Sequence, residues 1–145
     1  MQIDFSAAFD RVNHLGILYR LCSVGIGGSV LSIPTKFLSN RSLHVVVDGC
    51  RSKLVAVVSG VPQGSVLGPL TFLLYTSELC SILENKLVCY HDDSTLMAVV
   101  PSPGVRVTVP ESLIRDLGSV GEWCDLCGMK LNENKTMTGM GMHCA

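Results

Sequence analysis

Leu87-Val88-Cys89-Tyr90, His91-Asp92-Asp93-Ser94 and Thr95-Leu96-Met97-Ala98-Val99-Val100 form two β-type runs with an acidic pair between them. This pattern predicts a hairpin with Asp92 and Asp93 at its tip. Adjacent carboxylates repel each other and Asp is a poor strand residue, so the arrangement calls for solvent or a cation to offset the charge. A third acid, Asp4, lies near the end of the short run Gln2 to Phe5, which reads as a strand feeding a helix. Three carboxylates from two strands make an all-oxygen donor set suited to Mg²⁺, and paired metal ions commonly run phosphoryl and nucleotidyl transfer. The same residues also read as an ordinary polar turn and a helix N-cap.

On either side of this hairpin the pattern alternates between helical and extended. Val12 to Val24 carries Val12, Leu15, Tyr19 and Cys22 at helical spacing and ends at Gly25, while Gly27 to Leu38 reads as a second helix delayed or kinked by Pro34. Ser42 to Val47 and Ser52 to Ser59 are Val- and Leu-rich, and Asp48-Gly49 between them is a hairpin signal. After the loop Val61-Pro62-Gln63-Gly64-Ser65, the stretch Leu67 to Leu83 predicts one helix, apolar on nearly every face and therefore buried. Glu111 to Cys127 predicts an amphipathic helix with Leu113, Leu117, Val120, Trp123 and Cys124 inward and Glu111, Arg115, Asp116 and Glu122 outward. Gly128 allows a left-handed turn after it.

The 145 residues are 48% hydrophobic and 16% charged, which excludes a disordered tail and suffices for a core. Eleven basic residues against twelve acidic ones leave a net charge of -1, so nucleic-acid binding requires a local surface or further sequence. No apolar run approaches the roughly 18 residues of a membrane span. Asp4, Asp10 and Arg11 fall where a signal peptide would be basic and then apolar, so no secretion is expected. Seven scattered cysteines suit reduced thiols in a nuclear or cytoplasmic protein.

Four blocks carry a resemblance. Asp4-Phe5-Ser6-Ala7-Ala8-Phe9-Asp10-Arg11-Val12, then Ser59-Gly60-Val61-Pro62-Gln63-Gly64-Ser65-Val66-Leu67-Gly68-Pro69, then Tyr90-His91-Asp92-Asp93 resemble, in order and spacing, the first three palm motifs of reverse transcriptases. The match is closest to the non-LTR retrotransposon enzymes of the jockey-like kind. Asn132-Glu133-Asn134-Lys135-Thr136 is similar to the fourth palm motif of that family.

The resemblance implies an α+β fold, a palm-like antiparallel sheet with the acidic hairpin at its centre and helices packed on one face, without fingers or thumb. It assigns residues 1–137 to a partial palm and 138–145 to an irregular tail. It implies RNA-directed DNA polymerisation by two-metal catalysis: Asp4, Asp92 and Asp93 hold two Mg²⁺ ions, with Mn²⁺ as an alternative, and the Phe5 carbonyl is a further ligand. Lys135 neutralises the triphosphate or protonates the leaving pyrophosphate. Phe9 lies under the incoming sugar, Gln63 and Gly64 contact the nucleotide or template backbone, and Tyr90 and His91 flank the nucleotide. Asp10 is left to the helix N-terminus. The implied partners are an RNA template, a DNA primer and deoxynucleotide triphosphates, with no membrane.

His91 stands where relatives carry a small Ala, which predicts lowered activity. Without fingers and thumb the isolated chain is expected to be inactive. Two other classes remain open at this point. Cys124 and Cys127 with His143 and Cys144 offer four soft zinc ligands. A domesticated, non-catalytic palm would instead act as a nucleic-acid or protein interaction module, through Leu67 to Leu83 or the hairpin carrying Arg41, His44, Arg51 and Lys53, for which a solvated edge is the plainer account.

Overall fold

The computed structural model describes residues 1–90, 93–99 and 109–139. In chain order its elements are β1 (Gln2–Ile3), α1 (Ala8–Arg11), α2 (His14–Ser23), α3 (Gly28–Leu38), β2 (Arg41–Leu43), β3 (Val46–Val47), β4 (Cys50–Arg51), β5 (Val55–Val57), α4 (Leu67–Thr76), α5 (Leu79–Ile82), β6 (Lys86–Tyr90), β7 (Asp93–Met97) and α6 (Glu111–Cys127). Helices are thus mixed with antiparallel sheets, as an α+β class requires. The chain divides into two compact units, one of Met1–Ala8 with Thr76–Ala145 and one of Phe9–Tyr75. No helix among the described residues is long and apolar enough to cross a membrane.

The first unit holds the three-stranded sheet β1-β7-β6, antiparallel throughout, with β7 in the middle. Ile3, Ser94 and Leu96 are buried while Asp93 and Met97 are exposed, the period-two alternation of a sheet with one covered face. Beyond β1, isolated bridges from Gln2 to Met137 and from Phe5 to Leu131 add residues 131–137 alongside it. The Phe5 ring meets Trp123 of α6 at 6.1 Å, which ties that helix to the strand. Helix α6 has the expected bounds and ends on Gly128 at φ 71°. One outward assignment is corrected: Asp116 is 1% exposed. Its Oδ1 accepts the Glu84 amide at 2.8 Å, and its Oδ2 accepts the Asn85 amide at 2.9 Å and Asn85 Nδ2 at 2.8 Å. A carboxylate with three donors is stable inside, and helical spacing does not reveal donors supplied by a distant turn.

In the second unit, Asn13 caps α2 by accepting the Gly16 amide at 3.1 Å, and Gly25 at φ 89° closes its other end. Ile17 and Leu21 form its buried stripe, whereas Leu15 and Tyr19, which share the helical spacing, are 77% and 76% exposed. Both stripes have i, i+4 spacing on one helix, so periodicity alone could not choose between them. The expected hairpin forms as two short ladders: β2 pairs with β5, and β3 pairs with β4 around Asp48 and Gly49, both at positive φ as a two-residue turn demands. Leu67 to Leu83 is not one helix but α4 and α5, broken at Ser77-Glu78. The break follows Thr76 and Ser77, residue types that compete with the helical backbone. Phe72 and Tyr75 are buried, yet Leu70 is 58% exposed, so α4 is not covered all round.

Candidate functional site

The register of β1 against β7 pairs Gln2 with Thr95 and Ile3 with Ser94. Extended by one step, the same register would set Asp4 opposite Asp93. Residues directly opposite in an antiparallel pair point to the same face. Ile3 and Ser94 take the buried face, so Asp4 and Asp93 both project from the other one, where Asp93 is exposed and Asp4 half-buried. Two of the three acids singled out in the sequence thus lie one step past the last pair of this ladder, Ile3 and Ser94. Contrary to the tip placement, Asp93 belongs to strand β7, paired with Tyr90, which is 73% exposed. The third acid, Asp92, and His91 lie outside the described residues.

The Asp4 backbone is fixed from its other side. Its carbonyl accepts the Asn132 amide at 2.8 Å and its own amide donates to Thr136 Oγ1 at 3.4 Å. The Asn132 carbonyl in turn accepts the amides of Lys135 and Thr136 and the Thr136 hydroxyl. Residues 132–136 thus form a tight turn hung on Asp4, and it carries the exposed Lys135. Asn132 and Thr136 are not singled out by type or spacing; each lies one residue inside a bridged partner, Leu131 and Met137 respectively, which is visible only in the ladder. Around the Phe5–Leu131 bridge the bonds run from Ser6 to Lys130 and from Asn132 to Asp4, so the Phe5 amide and carbonyl turn to the opposite edge. Phe5 is 4% exposed and its ring packs in the core, so any ligand role falls to its main chain.

The remaining candidates, Phe9, Gln63 and Gly64, belong to the second unit. Phe9 is half-buried against Phe72, ring centroids 4.8 Å apart. Gln63 is exposed, and its Nε2 donates to Asp10 Oδ1 at 3.3 Å. Gly64, at φ 75°, has open space around it, so main chain can be approached there. Gly60, at φ 78°, sits on the backbone of Phe9 and Asp10. The Gly60 amide donates to Val12, and its carbonyl accepts His14 Nε2 at 2.8 Å and Arg41 Nη2 at 2.6 Å. Arg41 therefore holds the turn. Ser65 Oγ accepts the Gly68 amide at 3.0 Å, capping the start of α4. Much of the Pro-Gln-Gly block thus encodes a rigid turn that presents Gln63 and Gly64.

The zinc reading finds no support in Cys124, which is buried in α6. Burial, with the neighbouring Cys127 and Asp125 adding to it, pushes its thiol up to about 12. His143 and Cys144 lie outside the described residues. Among those described, no group of three or more His, Cys, Asp or Glu side chains stands ready for a metal ion. A thiol that stays protonated and covered reacts slowly. Labelling of the native chain with a maleimide at neutral pH should modify the exposed Cys22, Cys50 and Cys80 and spare Cys124 until denaturant is added; mass-mapped modification of Cys124 in the native chain would contradict the burial.

Residues 1–143 match the family model for reverse transcriptase (RNA-dependent DNA polymerase). The chain is 30% identical over 141 residues to the RNA-directed DNA polymerase from mobile element jockey of Drosophila funebris, covering 92% of this chain and 15% of that protein. It is 29% identical to the jockey enzyme of Drosophila melanogaster over 140 residues, again covering 92% of this chain and 15% of that protein. The probable RNA-directed DNA polymerase from transposon BS of Drosophila melanogaster is 29% identical over 143 residues, covering 93% of this chain and 15% of its own length. The chain thus spans about 15% of the length of these curated relatives. A match along nearly the whole sequence joins the acids at the ladder's end, the Asp4-anchored turn and the Pro-Gln-Gly block in one lineage, and the chain belongs to the reverse transcriptase family.

Proposed function

We propose that these residues are the palm portion of an RNA-directed DNA polymerase of a non-LTR retrotransposon, adding deoxynucleotides to a DNA primer on an RNA template. The observation that carries the reading is the register that, extended by one step, sets Asp4 opposite Asp93 on the open face of the sheet. Enzymes of this family use divalent metal ions. The donor set here is carboxylate oxygen without sulfur or imidazole, which fits a hard cation, Mg²⁺ or Mn²⁺, and Asp4, Asp93 and Asp92 would hold it. Such ions, when bound in pairs, activate the primer hydroxyl and offset the triphosphate charge.

The chain's own residues do the rest. The turn bonded to Asp4 carries Lys135 in the same compact unit as the acids, where its ammonium neutralises the triphosphate or passes a proton to the departing pyrophosphate. Phe9 stacks beneath the incoming sugar. Gln63 and Gly64 meet the nucleotide or the template backbone, and Tyr90 and His91 border the acids. The chain spans about 15% of the length of those relatives, and on its own it is expected to extend no primer.

A readout without turnover therefore tests the reading. Mg²⁺ at ten times its Kd should stabilise the chain by about 1.4 kcal/mol and raise Tm by about 5 °C. Asp4→Asn and Asp93→Asn should each abolish that rise. An unchanged wild-type Tm, or an equal rise in both variants, would remove the metal site and with it the catalytic reading.

A further inference from the structure

The net charge of -1 conceals a division. Phe9–Tyr75 contains six basic residues (Arg11, Arg20, Lys36, Arg41, Arg51, Lys53) against two acids, Asp10 and Asp48, a net of +4. The rest of the chain has five basic residues against ten acids, a net of -5. The carboxylates proposed to hold cations lie in the acidic unit, and the basic unit has no cation site to supply. An anionic partner is therefore attracted to the basic unit rather than to the acidic one.

Within the basic unit one element is open on all sides: every residue from 42 to 56 is exposed. An isolated two-stranded ribbon is marginal in water, so it gains from being held against something. Its register sorts its side chains. Val46 pairs with Arg51 and Val47 with Cys50, and the Ser52 amide bonds the Val45 carbonyl, which extends the same ladder by a step. Leu43 pairs with Val55, so the strand between Ser52 and Val55 holds one residue more than its partner, a bulge at Lys53-Leu54. Alternation from these pairs puts His44, Val46, Arg51 and Lys53 on one face and Leu43, Val45, Val47 and Val55 on the other. Among the described residues none of His44, Arg51 and Lys53 has a side-chain hydrogen bond or ion pair.

We infer that this ribbon is a nucleic-acid docking arm, whose basic face of His44, Arg51 and Lys53 holds a sugar-phosphate backbone. Charge complementarity selects the occupant: two cations and an imidazole on one exposed face attract a polyanionic backbone, and the nearest acid on the ribbon is Asp48 at its turn. The imidazole also offers a ring for stacking, and Val46 gives the face an apolar centre. The inference deepens the proposed template-copying reading and rests on it.

Fluorescence anisotropy with the purified 145-residue chain tests it, in EDTA so that no metal ion contributes. The probes are a labelled single-stranded RNA and the same RNA annealed to DNA; the tighter arm identifies the backbone the ribbon prefers. Between about 50 and 200 mM salt, Arg51→Ser/Lys53→Ser should lower the slope of log affinity against log salt by about 1.4 on single-stranded RNA. The same variant should bind about tenfold more weakly. Lys36→Ser, an exposed lysine of the same unit on α3, should leave both nearly unchanged. Circular dichroism checks that the variants keep their fold.

No binding by the wild type would overturn the inference, as would an unchanged slope in the double variant or an equal loss in Lys36→Ser. A Val45→Ser/Val47→Ser variant that dissolves self-association while Arg51→Ser/Lys53→Ser leaves RNA binding intact would make the ribbon a protein contact instead. Because EDTA is present, a failure here leaves the Mg²⁺ titration of Asp4 and Asp93 to stand or fall separately.

Discussion

Gly60→Ala should destabilise the chain by about 2–5 kcal/mol, a large part of the roughly 5–15 kcal/mol that holds a domain together. Gly60 lies at φ 78°, where an L side chain costs about 1–2 kcal/mol for the backbone conformation alone. A Cβ there would also stand 2.7 Å from the Asp10 Cα, 2.7 Å from the Asp10 carbonyl oxygen and 2.8 Å from the Phe9 carbonyl oxygen. These are backbone atoms that no rotamer change can move aside, so the helix α1 or the turn must shift, at the further 1–3 kcal/mol typical of overpacking. Shifting the turn strains what it holds: the Gly60 amide on Val12 and the His14 and Arg41 donors on its own carbonyl. Gly64→Ala is the matched comparison, with nearly the same φ, 75°, but nothing within 4 Å of the added methyl. It should cost only about 1 kcal/mol. Urea unfolding of the two variants separates steric contact from φ; equal midpoints would mean that the approach of Gly60 to Phe9 and Asp10 is not a close one.

The same contrast shows which parts of the fold the residues announced. Asp48-Gly49 and Gly128 each need a left-handed backbone, and a local need of that kind is written in one or two letters. The bounds of α6 were legible because its apolar spacing runs for five turns between Pro110 and Gly128. The buried stripe of α2 was not, since Leu15-Tyr19 and Ile17-Leu21 are equally periodic and only the packing partner decides between them. For the site, the residue types and order of Asp4, Asp92 and Asp93 pointed to a cation, but the opposition of Asp4 to Asp93 depends on a register between strands ninety residues apart. The anchoring of residues 132–136 on Asp4 and the charge division between the units are likewise properties of which segments come together, and total composition averages the second of them away.

Asp116 was misplaced for the same reason, and it carries the other large expected effect. Asp116→Ala should cost about 3–4 kcal/mol, because the Glu84 and Asn85 amides would lose their acceptor in a place that water does not reach freely. Asp116→Asn should cost about 2–3 kcal/mol, since an amide offers one acceptor oxygen and turns an NH₂ toward donors. The pH dependence distinguishes a charged acceptor from a merely well-packed one. Burial raises the Asp116 pKa, but the Glu84 amide and the Asn85 side chain and amide outweigh it, leaving the carboxyl below its ordinary value. A group whose pKa is lower when folded stabilises the fold above its unfolded pKa, about 3.9, and that contribution disappears as pH falls through the folded value. The wild type should therefore lose stability below about pH 4, while Asp116→Asn, already weaker at pH 7, should lose less over the same interval. Glu84, exposed and held low by its hydrogen bond from Arg115, titrates nearby but is present in both proteins, so the difference between the two urea curves reports Asp116. Parallel curves from pH 7 to pH 3 would show that the carboxylate's charge contributes nothing and that its burial is a matter of shape.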